Sequence, residues 1–151
     1  MNGRTDDLRT RHRWAYGLGL VLCIGTPALV AMLILSGQIP PGSQAPVGFY
    51  QDLGYLFTGL VFLAAAWVWW RSGQALRAFK ALPKEEQAAF VLRESLLYAA
   101  VFEASSLLGL VYWILVGSHA ARHAWGFIVL TPVLFAALVP RYARWEKALE
   151  H

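Results

Sequence analysis

The chain has 151 residues, 58% of them hydrophobic and only 15% charged, against about 45–50% and about 25% in soluble domains. At that ratio a fold in water would expose wide apolar patches, and the mean hydropathy of +0.47 points to lipid as the solvent. The net charge of +4 does not indicate nucleic acid. The basic residues sit at the ends of apolar segments, where the positive-inside rule and lipid headgroups account for them.

Residues 1–13 are polar and carry Arg4, Arg9, Arg11 and Arg13. Trp14 to Leu35 follows, twenty-two residues without a charge, when a bilayer core needs about 20. This run exceeds the roughly 7–15 apolar residues of a signal peptide and reads as a retained helix. Its single cysteine, Cys23, has no disulfide partner in the chain. Residues 36–47, with three prolines and two glycines, read as a loop. The second span is 53–70, with Phe49, Tyr50 and Tyr55 at its start and Trp67, Trp69 and Trp70 at its end.

Between 71 and 96 apolar and basic residues mix. Pro83-Lys84-Glu85-Glu86 has the proline and acids of a helix start. The second helix should therefore run on to about Ala81 and the third begin near Pro83. Pro83 to Val116 would make about 51 Å of helix against a core of about 30 Å. The excess should stand outside the bilayer as a helical hairpin with Phe79, Leu82 and Phe90 in its core. The third span is 97–116, Gly117 to His123 a tight loop, and 124–139 the fourth span. Residues 141–148 read as a basic tail, and 149–151 as a tag remnant.

Four Lys/Arg precede the first span, five lie between 71 and 96, and three lie in the tail, while the opposite loops hold only Arg122. The expected fold is an all-α polytopic membrane protein, an antiparallel four-helix bundle with both termini cytoplasmic. The expected location is multi-pass insertion in a bacterial inner membrane. Trp14, Trp67, Trp69, Trp70 and Trp145 should line the cytoplasmic interface, and Tyr50, Tyr112, Trp113 and Trp125 the far one.

Glu103 is the residue that points to function. It lies about seven residues inside the third span, where a charge costs some 2.5–3.5 kcal/mol on insertion scales, so it should face the bundle interior. Ser106 shares its helix face, and Thr58, Thr26 or Thr131 on other helices could complete a polar centre. Such a centre would hold a proton, a cation or a polar headgroup. Its structural alternative is a carboxyl that ties helices together by hydrogen bonds. Residues 100–111, AVFEASSLLGLV, resemble the ion-carrying helix of rotary ATPase proteolipid subunits in Glu103-Ala104 and Gly109-Leu110-Val111. The resemblance covers about a dozen residues, and the glycine-rich partner helix of that family is replaced here by a bulky second span.

Pro27 and Pro132 sit mid-span, each after a threonine, and should kink their helices. Ser105 and Gly109 form a small-xxx-small pair that permits close helix packing. His119 and His123 could share a metal, with Asp52 the nearest further ligand, but solvated loop histidines are the simpler reading. Arg93-Glu94 reads as an interfacial charge pair. No hydrolase set, P-loop or zinc-protease motif is present. The expectation is a non-enzymatic protein without cofactor or bound metal, binding or passing a small ligand, lipid, proton or cation at Glu103. The alternative is an accessory subunit in contact with lipids and with a second copy or a partner membrane protein.

Overall fold

The structure is a computed structural model. It describes the backbone of residues 2–42 and 46–150, and the side chains of these except 2–8, 47, 119, 120, 149 and 150. The side chains of Arg4 and His119 thus lie outside the described residues. The helices are α1 (Asn2–Leu35), α2 (Val47–Ala81), α3 (Lys84–Val116), α4 (Ala121–Leu138) and α5 (Tyr142–Glu150), and a single 3-10 turn, Gly117–Ala120, joins α3 to α4. No strand occurs among the described residues. Four segments are long and apolar enough to cross a membrane, and they begin at Arg9, Gly48, Lys84 and Ala121.

The α2–α3 connection is short because Pro83 stops one helix and starts the next. Leu82 is extended and its amide donates to the Phe79 carbonyl, while Glu85 and Glu86 occupy the first turn of α3. Pro27 and Pro132 both lie within continuous helix.

The third helix is the centre of the bundle. It packs against α1, α2 and α4, and α1 also lies along α4. The α3–α4 contact is the closest. A Cβ on Gly109 would lie 2.8 Å from both the Ala124 carbonyl oxygen and Ile128 Cγ1. Two hydroxyls cross this seam in opposite directions: Ser105 donates to the Phe127 carbonyl (2.9 Å) and Thr131 to the Phe102 carbonyl (3.1 Å). Small residues and side-chain hydrogen bonds are what bring helices together where lipid competes for every apolar contact. The Ser105/Gly109 pair is therefore used within the chain.

The two ends of the bundle differ. At the basic end, the start of α1, the α2–α3 turn and α5 meet. His12 Nε2 donates to the Pro140 carbonyl at 3.4 Å, and Trp145 packs edge-on against Phe79 with ring centroids 5.0 Å apart. Ala75, Phe79, Ala88, Val91 and Trp145 form a small core there, with Phe90 beside it. At the far end, the Gly42 amide donates to the Trp113 carbonyl, and Trp113 Nε1 donates to the Ile39 carbonyl. Gly117 turns the chain there at φ 79°.

Several expectations are corrected. The basic tail expected at 141–148 lies largely in a helix, Tyr142–Glu150. Tyr142, Trp145 and Ala148 recur at three-residue spacing, and all three pack on the basic-end core. Trp145, at 1% exposure, is a core residue and not an interface anchor, unlike Trp14 at 76% and Trp69 at 69%. Tyr112 is likewise buried, and its hydroxyl donates to the Tyr50 carbonyl at 2.9 Å. The region after Gly117 is mostly helical, so α4 begins at Ala121.

The tight seam gives a direct test. Gly109→Ala forces α4 away from α3 and should cost about 1–3 kcal/mol, read as a lower thermal midpoint in detergent. Gly59→Ala, where a Cβ meets nothing within 4 Å, should leave the midpoint unchanged or raise it.

Candidate functional site

Glu103 lies on the side of α3 that faces α1, thirteen residues from Val116 and about 20 Å from that end of the helix. The facing side of α1 is built from small and weakly polar residues. A Cβ on Gly19 would lie 3.5 Å from the Ala99 methyl, and the Cys23 thiol donates to the Ala99 carbonyl at 3.8 Å. Gly19, Cys23, Thr26 and Val30 recur at three- to four-residue spacing and so form one stripe on α1. Glu103 meets this stripe at the level of Cys23 and Thr26, and the thiol and hydroxyl of those residues approach its carboxyl.

The two carboxyl oxygens differ. Ser106 Oγ, one turn further along α3, donates at 3.2 Å to Oε2 and at 2.9 Å to the Glu103 carbonyl. Oε1 is buried and has no hydrogen-bond partner. A buried polar atom without a partner costs about 1–3 kcal/mol, so this oxygen calls for a proton to carry or for a bound donor or cation. Pro27 alters the backbone nearby. It has no N–H, so the Cys23 carbonyl loses its i+4 donor.

The structure brings only part of the sequence-predicted set together. Ser106 joins Glu103, and Thr26 approaches from α1. Thr58 does not join them: it is exposed, and its hydroxyl donates to the Gly54 carbonyl of its own helix at 2.7 Å. It lines a groove of about 330 Å³ with Arg122, His123 and Phe127 near the far end. Thr131 belongs to the α3–α4 seam. Pro27 lies on α1 beside the polar centre, while Pro132 lies on α4 next to Thr131. Among the described residues no three His, Cys, Asp or Glu side chains gather as a metal site.

A second carboxylate, expected as an interfacial pair with Arg93, is instead buried. Glu94 is fully buried, and its main partner is Arg71 on α2 rather than Arg93. Arg71 grips it with two hydrogen bonds, Nε to Oε2 at 3.1 Å and Nη2 to Oε1 at 2.8 Å, and the Tyr98 hydroxyl donates to Oε2 at 3.0 Å. Arg93 stands further off, at 3.8 Å. The only hint in the sequence was Tyr98 four residues beyond Glu94 on the same helix face. Nothing in the local pattern named Arg71, twenty-three residues earlier.

The two acids do different things. Glu94 has a donor on each oxygen and pins α2 to α3. Glu103 takes a hydrogen bond from Ser106 on Oε2 and leaves Oε1 without a partner between α1 and α3. No known family model matches this sequence, and no curated protein or solved structure is significantly similar to it.

The Glu94 clamp predicts an asymmetric response. Arg71→Gln strands a buried carboxylate. It should cost on the order of 2 kcal/mol, below the range for fully buried pairs because the Arg71 side chain is 36% exposed. Arg71→Gln combined with Glu94→Gln should recover part of that loss, as read by denaturation in mixed micelles.

Proposed function

We propose that the chain is a non-enzymatic multi-pass membrane protein, both termini in the cytoplasm, that binds or passes a proton or small cation at Glu103. The observation that carries this is the buried, partnerless Oε1 of a carboxyl placed deep in an apolar helix. Intramembrane acids are expensive and rare, and their common use is in proton and cation pathways. Thr26, Cys23 and Ser106 supply the weak donors and acceptors such a group needs to exchange its ligand without being locked, as Glu94 is locked by Arg71.

The orientation rests on the basic end. Arg9, Arg11, Arg13, Arg71, Arg77, Lys80, Lys84, Arg93, Arg141, Arg144 and Lys147 belong to that end, against Arg122 at the other. Charge asymmetry of this kind in short flanks directs the basic side to the cytoplasm, here that of a bacterial inner membrane. A cysteine at position 84 should stay unlabelled by an impermeant maleimide in intact cells and become labelled after permeabilisation. The reverse pattern would invert the topology.

Proteoliposomes holding a pH-sensitive dye test the function. The native protein should dissipate an imposed proton or cation gradient faster than empty liposomes. Glu103→Gln should return the rate to that of empty liposomes with helicity unchanged. Equal rates for native protein and Glu103→Gln would remove the reading.

A second reading, an accessory subunit held against a partner membrane protein or a second copy, is favoured by the bare face of α2. Tyr55, Phe62, Leu63 and Trp69 on that helix are each at least 68% exposed. Under that reading the glutamine variant is silent and bulky changes along α2 are not.

A further inference from the structure

We infer that the cleft between α1 and α5 is a binding site for an anionic phospholipid, with the headgroup on Arg13 and Arg141 and an acyl chain along α1. The inference is independent of the reading of Glu103.

Two grooves meet at the basic end and share Arg13 and Gly17. The first, about 460 Å³, is bounded by His12, Tyr16, Arg141 and Tyr142. The second, about 540 Å³, continues along α1 past Trp14, Leu18 and Val21. The first groove carries Arg141 and the histidine and tyrosine rings, and the second runs from Thr10 and the shared Arg13 to Trp14, Leu18 and Val21, so the charges lie at one end and apolar side chains at the other, the order of a phospholipid's headgroup and chain.

The cationic groove has a fixed floor. His12 is 4% exposed and stacks on Tyr16 with centroids 5.8 Å apart. Its ring also meets Tyr142 edge-on at 5.6 Å, and its Nε2 is bonded to the Pro140 carbonyl. The two arginines flanking that floor are exposed, and neither pairs with an acid among the described residues. They come from opposite ends of the sequence. Arg13 is the last charge before the first apolar run, and Arg141 follows Pro140 at the close of the fourth span. Both therefore stand where hydrocarbon gives way to headgroups. Guanidinium forks match phosphate oxygens. A zwitterionic lipid carries the same phosphate but brings its own cation against the pair, so charge complementarity selects a net-negative headgroup.

The apolar groove exists because residue 17 has no side chain. A Cβ there would meet nothing within 4 Å, while Trp14, Leu18 and Val21 on either side are 76%, 49% and 66% exposed. An acyl chain lying in this channel fills space that no part of the protein occupies, and a larger residue at 17 fills it instead without disturbing a packed neighbour.

The test is native mass spectrometry of the full chain in detergent, offered equal amounts of dioleoyl-phosphatidylglycerol and dioleoyl-phosphatidylcholine. The native protein should retain phosphatidylglycerol in preference. Arg13→Gln with Arg141→Gln should lower that retention about 30-fold, from the loss of two charges near the headgroup. Arg13→Lys with Arg141→Lys should keep the preference. Gly17→Phe should lower retention with both arginines in place, and circular dichroism should report an unchanged helical fold for each variant. Equal retention of the two lipids by the native protein, or no loss in the double glutamine variant, would overturn the site. Displacement of the lipid by inorganic phosphate, with Gly17→Phe behaving as native, would make it a simple phosphate site and overturn the lipid assignment.

Discussion

Helices surrounded by hydrocarbon gain little by touching one another through leucine and valine, because the lipid offers the same contact. Cohesion then depends on the few places where backbones come close enough for polar groups to reach across. In this chain those places concentrate on α3. Gly109 lets α4 approach to backbone distance, and Ser105 and Thr131 exchange hydroxyl bonds with carbonyls on opposite helices. Ala99 admits the thiol stripe of α1. Each contact also satisfies a polar atom that would be costly to strand in lipid.

The position of Glu103 follows from that arrangement. With one side of α3 sealed against α4, the side bearing Glu103 is left to α1. The thin stripe of Gly19, Cys23 and Thr26 leaves the carboxyl under-coordinated. The second helix is held differently, mainly near its ends. Tyr112 ties it through the Tyr50 carbonyl, and the Arg71–Glu94–Tyr98 cluster ties it at the basic side. Between these ties lies an apolar groove of about 380 Å³ bordered by Leu60, Ala64, Val101 and Leu108. One acid thus serves the architecture, and the other sits in the α1–α3 interface with one carboxyl oxygen left without a partner.

The four apolar helices were plain in the sequence, because a run such as 14–35 permits no other structure in oil. The turn at Leu82-Pro83 was legible too, since proline and the two following acids mark a helix start. What spacing could not supply was neighbours. It put Glu103 and Ser106 on one face but could not tell that Thr58, on a different helix, turns to its own backbone. It grouped Glu94 with the adjacent Arg93, although the fuller bond comes from Arg71. It assigned Trp145 to an interface because tryptophans at span ends usually lie there. The three-residue recurrence of Tyr142, Trp145 and Ala148 was the overlooked sign of a packed helix. Pairings between helices are set by approach distance, which small residues control and a linear pattern does not reveal.

At the far end, Gly42 and Gly117 meet across seventy-five positions of sequence. A Cβ on Gly42 would overlap the Ile114 carbonyl oxygen, and one on Gly117 would strike the Gly42 carbonyl. Gly117 is further constrained by its positive φ. The two positions therefore form a single unit of inheritance. A substitution at either is tolerated only if the hairpin between the first two spans is redrawn, so the length of that hairpin and the exit angle of α3 must change together or not at all.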